Sequence, residues 1–500
     1  MTTTDVLPST ATDLFTIGRG ARSDAERRPI GDADIKSLKR DLSDGIEGEV
    51  RFDRGSIALY ATDSSNFREI PIGVVIPKTL DDVVETHRLC SRYGAPILNR
   101  GGGSSLSGET VNFAVVIDHS KYLTRIGEAD TERMLVTVEP GAINEQVNKK
   151  IGKKNVLFGP DPSSHAFCTI GGNIGNNSCG IHSVQAQLYG PGPRTSDNLH
   201  SMDIVTYRGD RFRVGVGEES ELDRIIGEGG PKGEIYARLR DLRDRYADLI
   251  RQKYPPPSEL PRRVSGYNLD ELLPERGFNV ARALVGTEGT CATALEVTLM
   301  LIPALLKRVT VVVQYDELAD AAEHNIEIMG WKPIGLEALD NRLFEDEKLQ
   351  HKDLQALKKL PRSGEGAWLL VEFGADSEEE ARDTAKRFQD WLTGEKHYER
   401  DRIALFGPRE PGGPAELIWK TREAGLGATA FPPGDKDHWP GWEDSAVPPE
   451  KIAPYIRALK KLYEKYDLRG AMYGHIGQGC VHSRISFDLR TAQGIRQYRN

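Results

Sequence analysis

Arg100-Gly-Gly-Gly-Ser-Ser-Leu-Ser-Gly108 is the stretch that decides the fold, because three consecutive glycines follow the apolar run Pro96-Ile97-Leu98. A backbone without side chains can approach a ligand closely and turn successive N–H groups toward an anion. Glu109 stands where the lysine of a Walker loop would follow Gly108, and Leu106 occupies the third glycine position of a Rossmann fingerprint. An ordinary glycine turn is the alternative reading of this loop taken alone.

Working outward, Ile72 to Ile76 is a short apolar strand, and Thr79 is placed to cap a helix carrying Leu80, Val83, Val84 and His87 at helical spacing. Gly94 stops that helix, the glycine loop follows the next strand, and Ala114 to Ile117 forms another. This is the β-α-β opening of an α+β domain. Residues 1–50 read as a polar, loosely ordered lead-in, and residues 51–304 as one domain with a helical insertion at about 218–280. Tyr254-Pro-Pro-Pro257 breaks the insertion, and a strand region is expected from Ala281 to Leu301. Residues 305–500 read as a second α+β domain, with strands at Val309–Tyr315 and Trp368–Phe373. Near the end, Val481, Ser483, Ile485 and Phe487 alternate with polar residues as a half-buried strand does, and the chain reads as the front portion of a longer protein.

Composition narrows the function. Lys+Arg 66 against Asp+Glu 75 leaves a net charge of −9, which argues against nucleic acid as a partner and requires a local basic pocket for any acidic substrate. The five cysteines contain no C-x-x-C, so an iron–sulfur cluster is expected only in a longer chain, and a reducing, cytoplasmic setting fits best. No apolar stretch is long enough to span a bilayer, which leaves peripheral association open; even Cys291 to Leu306 carries Glu296.

Two further glycine segments accompany the first. Gly159-Pro-Asp-Pro162 precedes Cys168-Thr-Ile-Gly-Gly-Asn-Ile-Gly-Asn-Asn-Ser-Cys-Gly180, which reads as a compact loop with many exposed amides, and Gly286-Thr-Glu-Gly-Thr290 interrupts a β-branched run. His475-Ile-Gly-Gln-Gly-Cys-Val-His482 can turn at Gly477 and Gly479 to bring two imidazoles together, half of a Zn or Mn site, although two histidines alone are more often separate structural residues. Arg422, in Trp419-Lys-Thr-Arg422-Glu423, suits capture of a carboxylate.

In order and spacing the glycine segments resemble the PCMH-type FAD-binding domain of the vanillyl-alcohol-oxidase family, over about Tyr60 to Pro303. The resemblance implies non-covalent FAD held by Arg100, Gly101, Gly102, Gly103, Ser104, Ser105, Gly108, Pro160, Asp161, Ile170, Gly171, Gly172, Ile174, Asn176, Asn177, Ser178, Gly180, Glu288 and Gly289. The His-x6-His motif is similar to that of the family's D-2-hydroxy-acid dehydrogenases, which implies a divalent metal on His475 and His482. It also implies a substrate carboxylate on Arg422, with Arg263, Tyr267 and Arg484 as further substrate contacts. The family's later Gly-Glu-His-Gly motif, with its Glu ligand and general base, is absent, so the base is expected beyond residue 500.

The implied activity is hydride transfer from a D-2-hydroxy acid to flavin N5, with a quinone or another carrier as electron acceptor. D-2-hydroxyglutarate is favoured, then D-lactate or glycolate; a diacid wants a second cation, which Arg263 or Arg484 could supply. The alternatives are a flavin-binding electron-transfer subunit without turnover and an aryl-alcohol or sugar oxidase on the same fold.

Overall fold

The computed structural model describes residues 30–349, 357–364, 366–432, 434 and 436–500. Its first sheet has four strands in the order Glu49–Arg51, Gly73–Ile76, Val115–Asp118, Ile97–Arg100. Only the first pair is antiparallel, and the helix Leu80–Tyr93 makes the expected crossover between Gly73–Ile76 and Ile97–Arg100. Thr79 accepts from the Asp82 amide and Asp82 reciprocates, so both ends of a capping box are closed. Gly94 ends the helix in the left-handed region at φ +67°.

A second, antiparallel sheet orders Leu135–Val138, Thr293–Met300, Leu199–Val205 and Arg211–Val214. The helices Leu222–Glu228 and Gly230–Lys253 pack beside it. The third sheet is antiparallel throughout and has seven strands: Ile403–Phe406, Lys307–Tyr315, Ala367–Ala375, Gly335–Asp340, Gly470–Gly474, Cys480–Ile485 and Trp439–Ala446. Strand alternation sorts its apolar residues onto two faces. Val309, Val311 and Val313 join a core with Ala381, Phe388 and Ile456 from the covering helices, whereas Val312 and Leu370 meet Trp419 and Tyr473 on the other face.

Three local expectations are corrected. Residues 1–29 lie outside the described residues, but 30–50 are not a loose lead-in: Asp32–Gly45 is a helix whose Leu38 and Leu42 are fully buried. The apolar stripe of Ile35, Leu38 and Leu42 is narrow, and surrounding Asp and Lys residues mask it in the sequence. Ala281 to Leu301 is not continuous strand; Val280–Leu284 is a helix capped by Asn279, and the strand begins only at Thr293. Ile170–Asn176, expected as loop, is a short helix. Thr169 caps it through the Gly172 amide, Asn177 ends it at φ +51°, and Ile170 and Ile174 are buried, which offsets the poor helix propensity of its glycines.

Candidate flavin and metal site

The strand Ile97–Arg100 delivers the triple glycine to a groove between the first two sheets. At two positions the walls leave no room for a side chain. A Cβ on Gly101 would lie 2.1 Å from Thr169 Oγ1, and one on Gly102 would lie 2.3 Å from the Phe167 carbonyl oxygen. Behind the loop, Arg100 donates to the carbonyls of Thr62 (3.0 Å) and Thr110 (3.2 Å), bracing it rather than reaching for a ligand.

The groove consists of two adjoining cavities that share Gly101, Gly172, Asn176 and Glu288 and are further lined by Arg100, Gly102, Gly103, Ser104, Ser105, Gly171, Ile174, Ser178 and Gly289. The remaining sequence candidates stand behind its walls. The Asp161 carboxylate is committed to His182, accepting from its backbone amide at 2.8 Å and contacting the ring Nδ1. Buried Asn177 accepts from the Ser196 amide, and Pro160 O accepts from Asn144. Ile170 packs in the core, Gly108 sits under the Phe67 ring, and Gly180 lies against the Asp161 backbone. These six shape the groove without lining it.

Sequence reasoning missed Asn99 and His119 on the groove lining, though Asn99 directly precedes the quoted loop. His119 Nε2 meets Asn99 Oδ1 at 3.0 Å, and Asn99 Nδ2 donates to Thr293. Burial pushes the His119 imidazole down to about 4, so the ring is neutral at pH 7.

The second centre lies at one end of the large sheet. His475 follows the strand Gly470–Gly474, a turn at Ile476–Gln478 reverses the chain, and His482 rises from the strand Cys480–Ile485. Their Nε2 atoms are 3.1 Å apart. The third member is Asp444, with ligand atoms of all three residues within 4.8 Å of one another. Its strand, Trp439–Ala446, shifts register twice against Cys480–Ile485, and Asp444 itself holds φ +52°. A non-glycine residue in that region is strained, and the bulge aims its carboxylate across to the histidines. Nothing in the stretch Trp442-Glu-Asp-Ser-Ala-Val-Pro448 itself signals that it pairs with the histidine strand.

Partners fix these side chains. His475 Nδ1 lies 2.5 Å from Glu337 Oε1, and Arg422 donates from Nε to the other Glu337 oxygen at 2.8 Å. Burial drives the His482 imidazole down to about 3 and His475 well below its ordinary value, so both are neutral and can offer a lone pair. Burial raises the Asp444 carboxyl, but the buried Arg262 guanidinium and the Cys480 thiol, both on Oδ1, favour its ionised form and hold it below its ordinary value. Two neutral imidazoles and one carboxylate are a donor set that fits Zn or Mn, with further positions left for water or substrate.

The arginines fall differently from expectation. Arg422 is buried on Glu337, with its guanidinium 4.8 Å from the centroid of the Tyr473 ring, so its carboxylate comes from the protein itself. Arg263 contacts both Asp270 oxygens, at 2.6 and 2.7 Å, and stacks on Tyr254. Its neighbour Arg262 is the one that reaches the histidine loop. Tyr267 is half exposed and bonds to Thr290 Oγ1 at 2.6 Å. Arg484 is buried against Glu443 at 3.1 Å with its Nε outside any well-formed hydrogen bond, and Tyr473, near Arg422, faces the His482 ring at 5.2 Å. Gly101 to Ser107 line the same cleft as Glu443 and Asp444, so the glycine loop and the Asp444 edge of the histidine cluster open on the same space.

Two families match this architecture: the FAD binding domain over residues 71–215 and the C-terminal domain of FAD linked oxidases over residues 306–500. The chain thus carries an FAD binding domain followed by the C-terminal domain of FAD linked oxidases. The D-2-hydroxyglutarate dehydrogenase of Pseudomonas putida is 28% identical over 459 residues, covering 89% of this chain and 44% of that protein. The glycolate oxidase subunit GlcD of Bacillus subtilis is 26% identical over 462 residues, covering 91% of this chain and 82% of that protein. This chain therefore spans less than half the length of the first relative.

Among solved structures, alkyldihydroxyacetonephosphate synthase superposes with a TM-score of 0.60 at 14% identity, over 93% of this chain and 82% of that one. Substrate-bound p-cresol methylhydroxylase gives 0.60 at 14%, over 94% and 86%. The PCMH-type α+β fold expected from the glycine segments is thus the fold observed. No described helix is long and apolar enough to cross a membrane.

Proposed function

We propose that this chain oxidises a D-2-hydroxy acid to the 2-oxo acid, with D-2-hydroxyglutarate favoured and D-lactate or glycolate next. The observation that carries the reading is the shared cleft: Asp444, at the edge of the His475–His482 cluster, faces the glycine loop of the FAD site. The relatives named as D-2-hydroxyglutarate dehydrogenase, glycolate oxidase subunit and D-lactate dehydrogenase support the substrate class.

In this reading FAD is non-covalent, and Asp444, His475 and His482 hold Zn or Mn. Bound there, the flavin supplies a two-electron acceptor and the metal a Lewis acid for the substrate hydroxyl. Glu337 and Arg422 keep the His475 ring oriented with Nε2 toward the site. Arg484, buried against Glu443 beside the cleft, is the cation assigned to a substrate carboxylate, and Tyr473 packs against the His482 ring. Electrons then pass to a quinone or another carrier, and any iron–sulfur region belongs to a longer chain.

The test is an anaerobic visible spectrum of the purified FAD-loaded protein before and after D-2-hydroxyglutarate, D-lactate and glycolate are added in turn. Bleaching of the oxidised flavin band, abolished by chelation and restored by Zn or Mn, is the expected result. A band unchanged by all three acids would favour a flavin-binding subunit without turnover. Bleaching that survives chelation would remove the metal from the reading.

A further inference from the structure

Arg262 ties three separate segments together at the edge of the metal centre. Its guanidinium is buried, at 2% exposure, and donates in three directions: Nη2 to the Gly180 carbonyl (2.6 Å), Nε to Gln478 Oε1 (2.7 Å) and Nη1 to Asp444 Oδ1 (3.2 Å). Gly180 closes the second glycine segment on the FAD side, Gln478 sits in the turn between the histidines, and Asp444 is the strained third member of the cluster. Gln478 in turn donates to Gln187 at 2.8 Å, so the brace is anchored at both ends.

The Asp444 side chain is 41% exposed, so it lacks a packed wall to fix its rotamer. Arg262 and the Cys480 thiol both address its Oδ1, at 3.2 and 3.1 Å. Two contacts on one oxygen fix the plane of the carboxylate. A planar fork with several fixed N–H vectors can do this, whereas a flexible ammonium makes one such contact at a time.

We propose that Arg262 is a positioning residue that sets the Asp444 carboxylate as a metal donor while locking the turn between His475 and His482 to the FAD side. The inference rests on the metal reading given under Proposed function. Arg262 also carries a positive charge that opposes a bound dication, so metal affinity mixes two effects of opposite sign. Ligand geometry does not, and it is the quantity to measure.

The experiment loads Co2+ into chelator-stripped, FAD-containing protein and records the metal absorption bands after dithionite has bleached the flavin. Arg262→Gln is expected to shift and weaken those bands in the same way as Asp444→Asn, while FAD content stays at the wild-type level. Arg262→Lys, which keeps the charge but can hold only part of the brace, is expected to fall between wild type and Arg262→Gln, and it carries the test should the Gln variant not fold. Bands in both Arg262 variants identical to wild type, with Asp444→Asn altered, would overturn the proposal. Failure of the wild type to take up Co2+, or an Asp444→Asn spectrum like wild type, would instead bring down the underlying metal reading.

Discussion

Glu337 Oε1 lies 2.5 Å from His475 Nδ1, while its other oxygen holds the buried Arg422. The pair reaches across neighbouring strands of the large sheet, Gly335–Asp340 and Gly470–Gly474, so that sheet's register sets the orientation of the first histidine of the Asp444–His475–His482 cluster. Burial pushes the Glu337 carboxyl up, opposed by Arg422 and Arg262. A carboxylate behind a ligating imidazole raises its basicity and fixes its tautomer.

Replacing Glu337 with Gln removes that charge and leaves Arg422 without its counterion. Metal affinity, read by equilibrium dialysis of Zn against the stripped protein, is expected to fall by about 10–100-fold. Retention of wild-type affinity would show that the His475 ring is held by the backbone turn alone.

The glycine cradle makes a separate prediction about FAD. Gly102→Ala puts a Cβ 2.3 Å from the Phe167 carbonyl oxygen, and because that atom is backbone the loop must move. Overpacking of this kind costs about 1–3 kcal/mol. The purified variant should show a lower ratio of flavin to protein absorbance and a lower melting temperature, and added FAD should recover less than the wild-type stability.

Across the two domains, Glu372 is buried among His182 at 3.1 Å, Arg409 at 3.1 Å and Arg308 at 3.6 Å. Burial pushes its carboxyl up, but Arg409 leads the cations that together hold it down at about 2. Because the folded value is depressed, its stabilisation is complete above the unfolded carboxylate range and is lost as pH falls from about 4.5 toward 2. Urea midpoints should therefore drop through that window, and Glu372→Gln should flatten the drop. At pH 7 the same variant strands Arg409 and Arg308 in the interior and should lose about 3–5 kcal/mol.

The N-terminal helix supplies the fourth prediction. Leu38, fully buried, packs in a core with Leu42, Leu89 and Val115. Leu38→Ala should cost about 2–5 kcal/mol by loss of burial plus the cavity left behind. An unchanged urea midpoint would mean that Asp32–Gly45 does not fold as part of the first domain.

Runs of glycine and short apolar periods are local signals, and they were enough to place the β-α-β opening, the capping of Leu80–Tyr93 by Thr79, the strand Lys307–Tyr315 and the turn that brings His482 back to His475. Each depends on backbone preferences within a few residues. Partners supplied by another strand left no such trace. Asp444 meets the histidines only because a twice-bulged strand pairs with theirs, and Arg422 meets Glu337 because a helix packs on the sheet that carries it. Arg262 faces the site while Arg263 turns to Asp270, a choice made by the acceptors within reach of each guanidinium rather than by sequence position. Local conformation is written in neighbouring residues, whereas the pairing of buried charges is decided only once packing has excluded water and each must find the partner within reach.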